Sequence, residues 1–195
     1  MPYKLEIDPY YDFLLFVGRK NAGKTYFASQ IIKHLKTKRI IIVDTNKDFS
    51  KIPELRKYCI YLDPTADALS EFIKKMRRIN ANGDYAISNI LLIIDDIDMY
   101  GKPINNDDLR GLAYNGRHQG IGLIMIARRP VYFETLLMNT DYLFIGYGED
   151  QVDYEYIYKH YRSFDISVID KINADKDAYL FYMIDQTGEN RIVKA

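Results

Sequence analysis

Short apolar runs alternate along the chain with segments in which hydrophobic residues recur every three or four positions. The apolar runs predict strands that are buried on both faces. These strands are expected over 13–17, 39–44, 59–62, 89–95, 121–127 and 142–146. The helical spacing predicts helices. These helices are expected over 24–37, 66–81, 107–118, 131–138 and 150–161. Strands that alternate with helices are typical of an α/β fold with a mostly parallel sheet and flanking helices.

The C-terminal part follows a different pattern. Residues 178–185 alternate between apolar and polar, residues 186–190 have the composition of a turn, and residues 191–194 form a second alternating run. This pattern predicts a β-hairpin at the sheet edge. With 195 residues, we expect one domain over 1–195.

Composition narrows the function classes. The 27 basic and 27 acidic side chains give a net charge of zero, which excludes a strongly basic nucleic-acid binder but not a local basic patch. No run approaches the ~20 apolar residues of a membrane span, and no secretory leader is visible. The single cysteine fits a reducing compartment, so we expect a cytoplasmic protein without a membrane span.

A glycine-rich motif lies between the first predicted strand and the first predicted helix. It has the pattern G-x-x-x-x-G-K-[ST] and comprises Gly18, Arg19, Lys20, Asn21, Ala22, Gly23, Lys24 and Thr25, with Tyr26 next in the helix. Glycines let backbone N–H groups surround phosphate oxygens, and the helix N-terminus adds partial positive charge. We therefore predict that residues 18–26 bind a nucleotide.

Two residues of this motif have specific predicted roles. Lys24, expected to face solvent, reaches the β- and γ-phosphates, and the Thr25 hydroxyl ligates Mg²⁺. The predicted cofactors are ATP and Mg²⁺, although no base-reading motif separates ATP from GTP.

A second acidic site follows the apolar run 89–94. Asp95 would lie at the carboxyl end of a central strand, where ligands bind in open α/β sheets. There it would hold Mg²⁺. Asp96 would orient or deprotonate the attacking water. Asp98 or Asp44 could serve instead of Asp96.

The motif alone leaves three functions open: hydrolysis of a nucleotide, a nucleoside or nucleotide kinase, and a regulatory or assembly protein. The sequence lacks the LSGGQ signature of ABC ATPases and the N-K-x-D motif of GTPases. Kinases of this length usually carry an arginine-rich lid, which Arg128 and Arg129 could imitate.

Residues 115–130, NGRHQGIGLIMIARRP, resemble the R-x-x-G-I-x-h-h-h-x-T-Q-R-P region of the HerA/FtsK family of DNA-pumping ATPases. The order of P-loop, acidic strand, arginine and Arg-Pro strand also agrees, and the resemblance covers about residues 12–147. The short chain is most similar to the genome-packaging ATPases of membrane-containing icosahedral viruses. The resemblance implies an additional-strand P-loop fold.

The implied function is a Mg²⁺-dependent ATPase motor that translocates or packages double-stranded DNA without sequence specificity. The implied partners are further copies of the chain in a hexameric or pentameric ring, and capsid or portal proteins. The implied location is the host cytoplasm or the virion.

The resemblance also implies roles for individual residues. Arg117 aligns with an arginine that can reach a neighbour's nucleotide, although it could equally be a cation at a helix C-terminus. Asp96 stands where the family more often has Glu. Arg128 replaces the family's polar sensor, so either Arg128 senses the γ-phosphate or the sensor lies elsewhere. Lys102, in the loop after the acidic strand, is a candidate DNA contact or an ordinary solvated lysine.

Overall fold

One sheet runs through the computed structural model, which describes residues 6–35, 37, 39–57, 59–100, 107–130, 134–148 and 150–195. Its strands are β1 (Phe13–Val17), β2 (Ile40–Val43), β3 (Cys59–Leu62), β4 (Ile90–Ile94), β5 (Ile121–Ile126), β6 (Tyr142–Ile145), β7 (Leu180–Asp185) and β8 (Asn190–Lys194). The helices are α1 (Lys24–His34), α2 (Pro53–Arg56), α3 (Ala66–Met76), α4 (Asp107–Asn115), α5 (Glu134–Asn139), α6 (Gln151–His160) and α7 (Ser167–Ala174).

The strand order identifies the fold class. The sheet has the order β3-β2-β4-β5-β1-β6-β7-β8. β1 to β6 pair in parallel, whereas β7 and β8 form an antiparallel hairpin beside β6. β5 lies between β1, which leads into the P-loop, and β4, which leads into the acidic pair. This inserted strand is the feature of the additional-strand P-loop class, so the predicted fold class is confirmed.

Both faces of the sheet are covered by helices, which explains why the central strands are apolar throughout. Successive side chains of a strand point to opposite faces. Leu15, Leu92 and Leu123 therefore pack into one hydrophobic cluster with α3, α4, α6 and α7. Leu14 and Ile93 pack into the other cluster with α1 and α2.

The predicted strands and hairpin match the observed ones to within two residues, but several helices differ. The helix predicted over 66–81 ends at Met76, and the chain then turns so that Ile79 bridges to Tyr85. The helix predicted over 107–118 ends at Asn115 and is followed by a separate 3₁₀ turn, Arg117–Gln119. α2 and α7 were not predicted. Residues 131–133 lie outside the described residues.

The carboxyl ends of the parallel strands lie along one edge of the sheet. The P-loop follows β1, the acidic residues follow β4, and Arg128 follows β5. β5 is buried along its whole length and begins immediately after the turn that carries Arg117. The topology thus places the P-loop, the acidic pair and Arg128 together, as ligand sites in such sheets require.

Candidate active site

The P-loop adopts a backbone conformation that favours glycine at two positions. Gly18 has φ 144° and Gly23 has φ 81°. A Cβ atom at Gly18 would also lie 3.0 Å from the Tyr147 carbonyl oxygen of the neighbouring loop. Glycine is therefore required at both ends of the loop, whose curvature directs backbone N–H groups inwards.

Lys24 does not face solvent, and that expectation was wrong. The residue is only 7% exposed. Its Nζ donates to the carbonyl oxygens of Gly18 at 2.6 Å and Arg19 at 2.8 Å. As the first residue of α1, it extends back along the loop rather than away from it. Burial lowers the pKa of Lys24 to about 8, against the opposing attraction of Asp96 and Asp95.

Asp95 lies beside the P-loop with one carboxylate oxygen unused. Its Oδ1 accepts from the Thr25 hydroxyl at 3.5 Å. Its Oδ2 is buried and has no hydrogen-bond partner among the described residues. Burial, and then the neighbouring charge of Asp96, raises the pKa of Asp95 to about 7. A buried, unpartnered carboxylate oxygen next to a hydroxyl suits Mg²⁺, a hard cation that binds oxygen ligands.

Asp96 is fixed by two side chains from other loops. Its carboxylate accepts from Arg128 Nε at 3.3 Å and Nη2 at 3.0 Å, and from the Asn46 amide. Burial acts to raise the pKa of Asp96, but the hydrogen bonds from Arg128 and Asn46 outweigh it and lower the pKa. Asp96 is therefore ionised and is aligned by an arginine and an amide.

Asp44 and Asp98, the two alternatives to Asp96, accept hydrogen bonds from backbone N–H groups. Asp44 accepts from the Phe49 N–H at 3.2 Å and the Ser50 N–H at 2.7 Å. Asp98 accepts from the Arg128 N–H at 2.7 Å. Neither residue lines the cleft beside the P-loop, whereas Asp95 and Asp96 do. These positions favour Asp96 over Asp44 and Asp98 for contact with a water molecule.

The cleft at this edge has a volume of about 470 Å³. Its lining includes residues 20–26 of the P-loop and first helical turn, and Asn46, Asp95, Asp96 and Arg128. The cleft thus brings together most of the predicted site: the nucleotide-binding residues 20–26, the metal ligand Asp95, and the candidate catalytic residues Asp96 and Arg128.

Arg129 has a separate environment from Arg128. Its Nη2 lies 2.6 Å from an Asp150 oxygen, and its Nε lies 3.1 Å from an Asp153 oxygen. Since Arg128 is bonded to Asp96 and Arg129 is bonded to two acidic residues near the start of α6, the pair does not form an arginine-rich lid.

Arg117 lies at the opposite edge of the sheet from the P-loop. Its Nη2 is 3.4 Å from Asp141 Oδ1, and Asp141 Oδ2 accepts from the N–H of Phe13, the first residue of β1. The length of β1, roughly 13 Å at ~3.3 Å per residue, separates this contact from Gly18. Arg117 is therefore not placed to reach the P-loop of its own chain.

Two residues remain to be placed, Asn46 and Lys102. Asn46, which donates to Asp96, was not predicted as a site residue. Its position just after β2, at the carboxyl edge of the sheet, was the available signal. Lys102 lies outside the described residues, so its role as a DNA contact stays a prediction.

Comparison with known protein families decides the class. Residues 14–114, more than half of the chain, match the family described as ATPase family associated with various cellular activities (AAA). The chain belongs to the AAA family of ATPases. The matched range contains the whole P-loop and the Asp95–Asp96 pair, so the family and the site geometry agree. No protein among the curated sequences compared matches the chain significantly.

Solved structures share the fold of this ATPase domain. The genome-packaging NTPase B204 of Sulfolobus turreted icosahedral virus 2, in complex with ATP-gammaS, is 21% identical with a TM-score of 0.71, over 95% of this chain and 98% of that chain. B204, the DNA-packaging ATPase from Sulfolobus turreted icosahedral virus, is 19% identical with a TM-score of 0.66, over 93% and 96%.

A more distant likeness is the cytoplasmic domain of the Type VII secretion ATPase EccC of Thermomonospora curvata. It is 13% identical with a TM-score of 0.59, over 96% of this chain but 24% of that chain. The predicted similarity to viral packaging ATPases is thus confirmed for the fold. Among the described residues, no helix is both long and apolar enough to cross a lipid bilayer.

Proposed function

We propose that this AAA ATPase is a Mg²⁺-dependent motor of the HerA/FtsK type that moves double-stranded DNA during viral genome packaging. The observation that carries the proposal is the fold shared with the B204 packaging NTPases along nearly the whole of both chains. An intact phosphate-binding site accompanies it.

Each group of residues in the cleft has a different proposed role in ATP hydrolysis. The P-loop N–H groups and Lys24 would bind the β- and γ-phosphates, and Thr25 with Asp95 would hold Mg²⁺. Mg²⁺ supplies charge neutralisation of the phosphate oxygens. Asp96, whose pKa is lowered, is a weak base, so it would orient the attacking water by accepting a hydrogen bond.

Arg128 would contribute positive charge at the γ-phosphate end of the cleft. It already lines the cleft and holds Asp96, and its side chain is half-exposed, so a small movement would bring the guanidinium to a phosphate oxygen. This position favours Arg128 itself as the sensor that replaces the family's glutamine.

Arg117 is proposed to act on the nucleotide of a neighbouring subunit. It lies too far from its own P-loop, and its side chain is 43% exposed. Its partner Asp141 is only 3% exposed, so a neighbour's nucleotide would have to replace this contact, while Asp141 would keep its hydrogen bond from the Phe13 N–H. We propose a ring of subunits in which this arginine completes each site.

The further proposed partners follow from the packaging role. They are double-stranded DNA, bound without sequence preference, and capsid or portal proteins; Lys102 is the candidate DNA contact. The proposed location is the host cytoplasm and the virion. The kinase alternative loses its main support, because Arg128 and Arg129 are bonded to acidic residues instead of forming a lid.

Phosphate release from ATP, measured with Mg²⁺ and with or without double-stranded DNA, tests the proposal. We expect hydrolysis that DNA stimulates, and Lys24→Ala as the control without activity. Turnover that is insensitive to DNA, together with phosphate transfer to a nucleoside, would identify a kinase. Nucleotide binding with negligible turnover in both conditions would identify a regulatory or assembly protein.

A further inference from the structure

Two exposed tyrosine rings lie side by side next to the phosphate-binding loop. Tyr26 follows Thr25 in the first turn of α1 and is 52% exposed, and Tyr179 precedes β7 and is 42% exposed. Their ring centroids are 6.2 Å apart, with 41° between the planes. Neither ring belongs to the two hydrophobic clusters of the described residues. Packing of the hydrophobic core therefore does not explain why these two rings lie together.

The position of Tyr179 is imposed by its surroundings. It has φ 48°, in the left-handed region that a bulky residue rarely adopts. The preceding 3₁₀ turn is capped by the Asp175 side chain, which accepts from the Ala178 N–H at 3.1 Å. The Tyr179 carbonyl accepts from the Ala195 N–H at 3.1 Å. A strained residue that is fixed in this way marks a candidate functional position.

Tyr179 also contacts the P-loop itself. A Cβ atom at Gly23 would lie 2.5 Å from Tyr179 Cδ1, so the ring rests directly against this glycine. Glycine is needed at this position both for the φ of 81° and to leave the space that the Tyr179 ring occupies. Residues from opposite ends of the chain, in α1 and before β7, thus present two aromatic rings at the start of the same helix.

The polar part of the cleft sets the direction in which a nucleotide would lie. Asp96 and Arg128 line the end of the cleft where the γ-phosphate would react, and Lys24 and Thr25, which also line the cleft, would contact the phosphates before it. Tyr26 lines the same cleft one residue further along α1. The nucleoside would leave the P-loop past the helix start, towards the aromatic pair.

We propose that Tyr26 and Tyr179 form a stacking platform for the nucleobase of the bound nucleotide. This inference rests on the proposed ATPase function. Stacking on an aromatic ring tolerates any base, because every base has a π-face. The platform therefore supplies affinity for the nucleoside without selecting adenine over guanine.

Equilibrium binding of ATP, GTP and inorganic tripolyphosphate tests the platform. We expect Tyr26→Ala and Tyr179→Ala to weaken ATP and GTP binding by roughly 5- to 150-fold, the range for loss of one base–aromatic stack. Tripolyphosphate binding should not change, since it has no base. Tyr26→Phe and Tyr179→Phe should retain wild-type affinity, and Tyr114→Ala, a half-exposed tyrosine on α4, is the matched control.

Tyr179→Leu separates stacking from support of the loop. Leucine can fill the space against Gly23 but offers no π-face, so nucleotide affinity should fall while tripolyphosphate affinity is kept. Unchanged ATP affinity in both alanine variants would overturn the platform, as would an equal loss for tripolyphosphate. Loss confined to one of ATP and GTP would also overturn it. A wild-type protein that binds neither nucleotide nor tripolyphosphate would instead overturn the proposed function, and the platform with it.

Discussion

The contacts of Asp96 predict that its charge matters far more for turnover than for stability. In Asp96→Asn the side chain keeps its size and can still accept a hydrogen bond from Arg128. The lost ion pair joins a guanidinium that is 51% exposed to an Asp96 side chain that is 10% exposed. Its loss should therefore cost more than that of a surface pair, ~1–2 kcal/mol. For a chain of this length we expect the melting temperature to fall by about 2–8 °C.

The expected effect on catalysis is much larger. A positioned acid or base contributes ~10²–10⁴-fold, which corresponds to ~2.7–5.4 kcal/mol in the activation barrier. Asp96→Asn should therefore lose most of its turnover at saturating ATP. Nucleotide affinity should be kept or slightly increased, because a negative charge near the phosphates is removed.

Three measurements on the same preparation test this prediction: phosphate release, equilibrium ATP binding and thermal unfolding. Asp98→Asn is the matched control. Asp98 accepts from the backbone N–H of Arg128 but does not line the cleft. The reasoning is refuted if Asp96→Asn turns over at the wild-type rate while Asp98→Asn does not. That result would assign the water-orienting role to Asp98.

Four further predictions follow from the site and its proposed assembly. Lys24→Ala should abolish phosphate release yet leave a folded chain by circular dichroism; normal turnover would contradict the site. Lys24 loses its proton near pH 8 in the folded protein and near pH 10.5 in the unfolded chain. The unfolded chain therefore binds more protons between these values, and the free energy of unfolding should rise with pH there. Denaturant titrations should show this rise in the wild type and not in Lys24→Met. Arg117→Ala should lower turnover by ~10³–10⁵ in assembled protein only. Mixing it with Lys24→Ala subunits should restore part of the activity, and a mixture that stays inactive although mixed oligomers form would leave Arg117 a structural role. DNA binding should weaken as salt rises and should not depend on base sequence, as competition at matched salt would reveal.

The fold was largely predictable because its signals are local. Apolar runs such as 90–94 and 121–126 are long enough to identify buried strands, and the P-loop motif fixes the strand and helix around it. The helix ends were less predictable. Met76 ends α3 because the next residues turn back to form a bridge, a contact that helical periodicity does not encode.

The candidate site was predictable in its components but not in its contacts. Asp96 and Arg128 are 32 residues apart in the sequence, and only the pairing of β4 with β5 brings them together. The burial of Lys24 depends on two carbonyl groups of the loop before it. Tyr179 was missed because its contact with Gly23 joins distant parts of the chain, and no motif surrounds it.

β5 gives this domain a short mechanical connection between Arg117 and Arg128. The strand begins just after the turn of Arg117 and ends just before Arg128, and it is hydrogen-bonded to β1 and β4 along its length. A strand held on both sides resists stretching. In the proposed ring, a nucleotide that moved the backbone at Arg128 would therefore also move Arg117, the arginine proposed to reach the neighbouring site, and hydrolysis in one subunit would be timed by its neighbour.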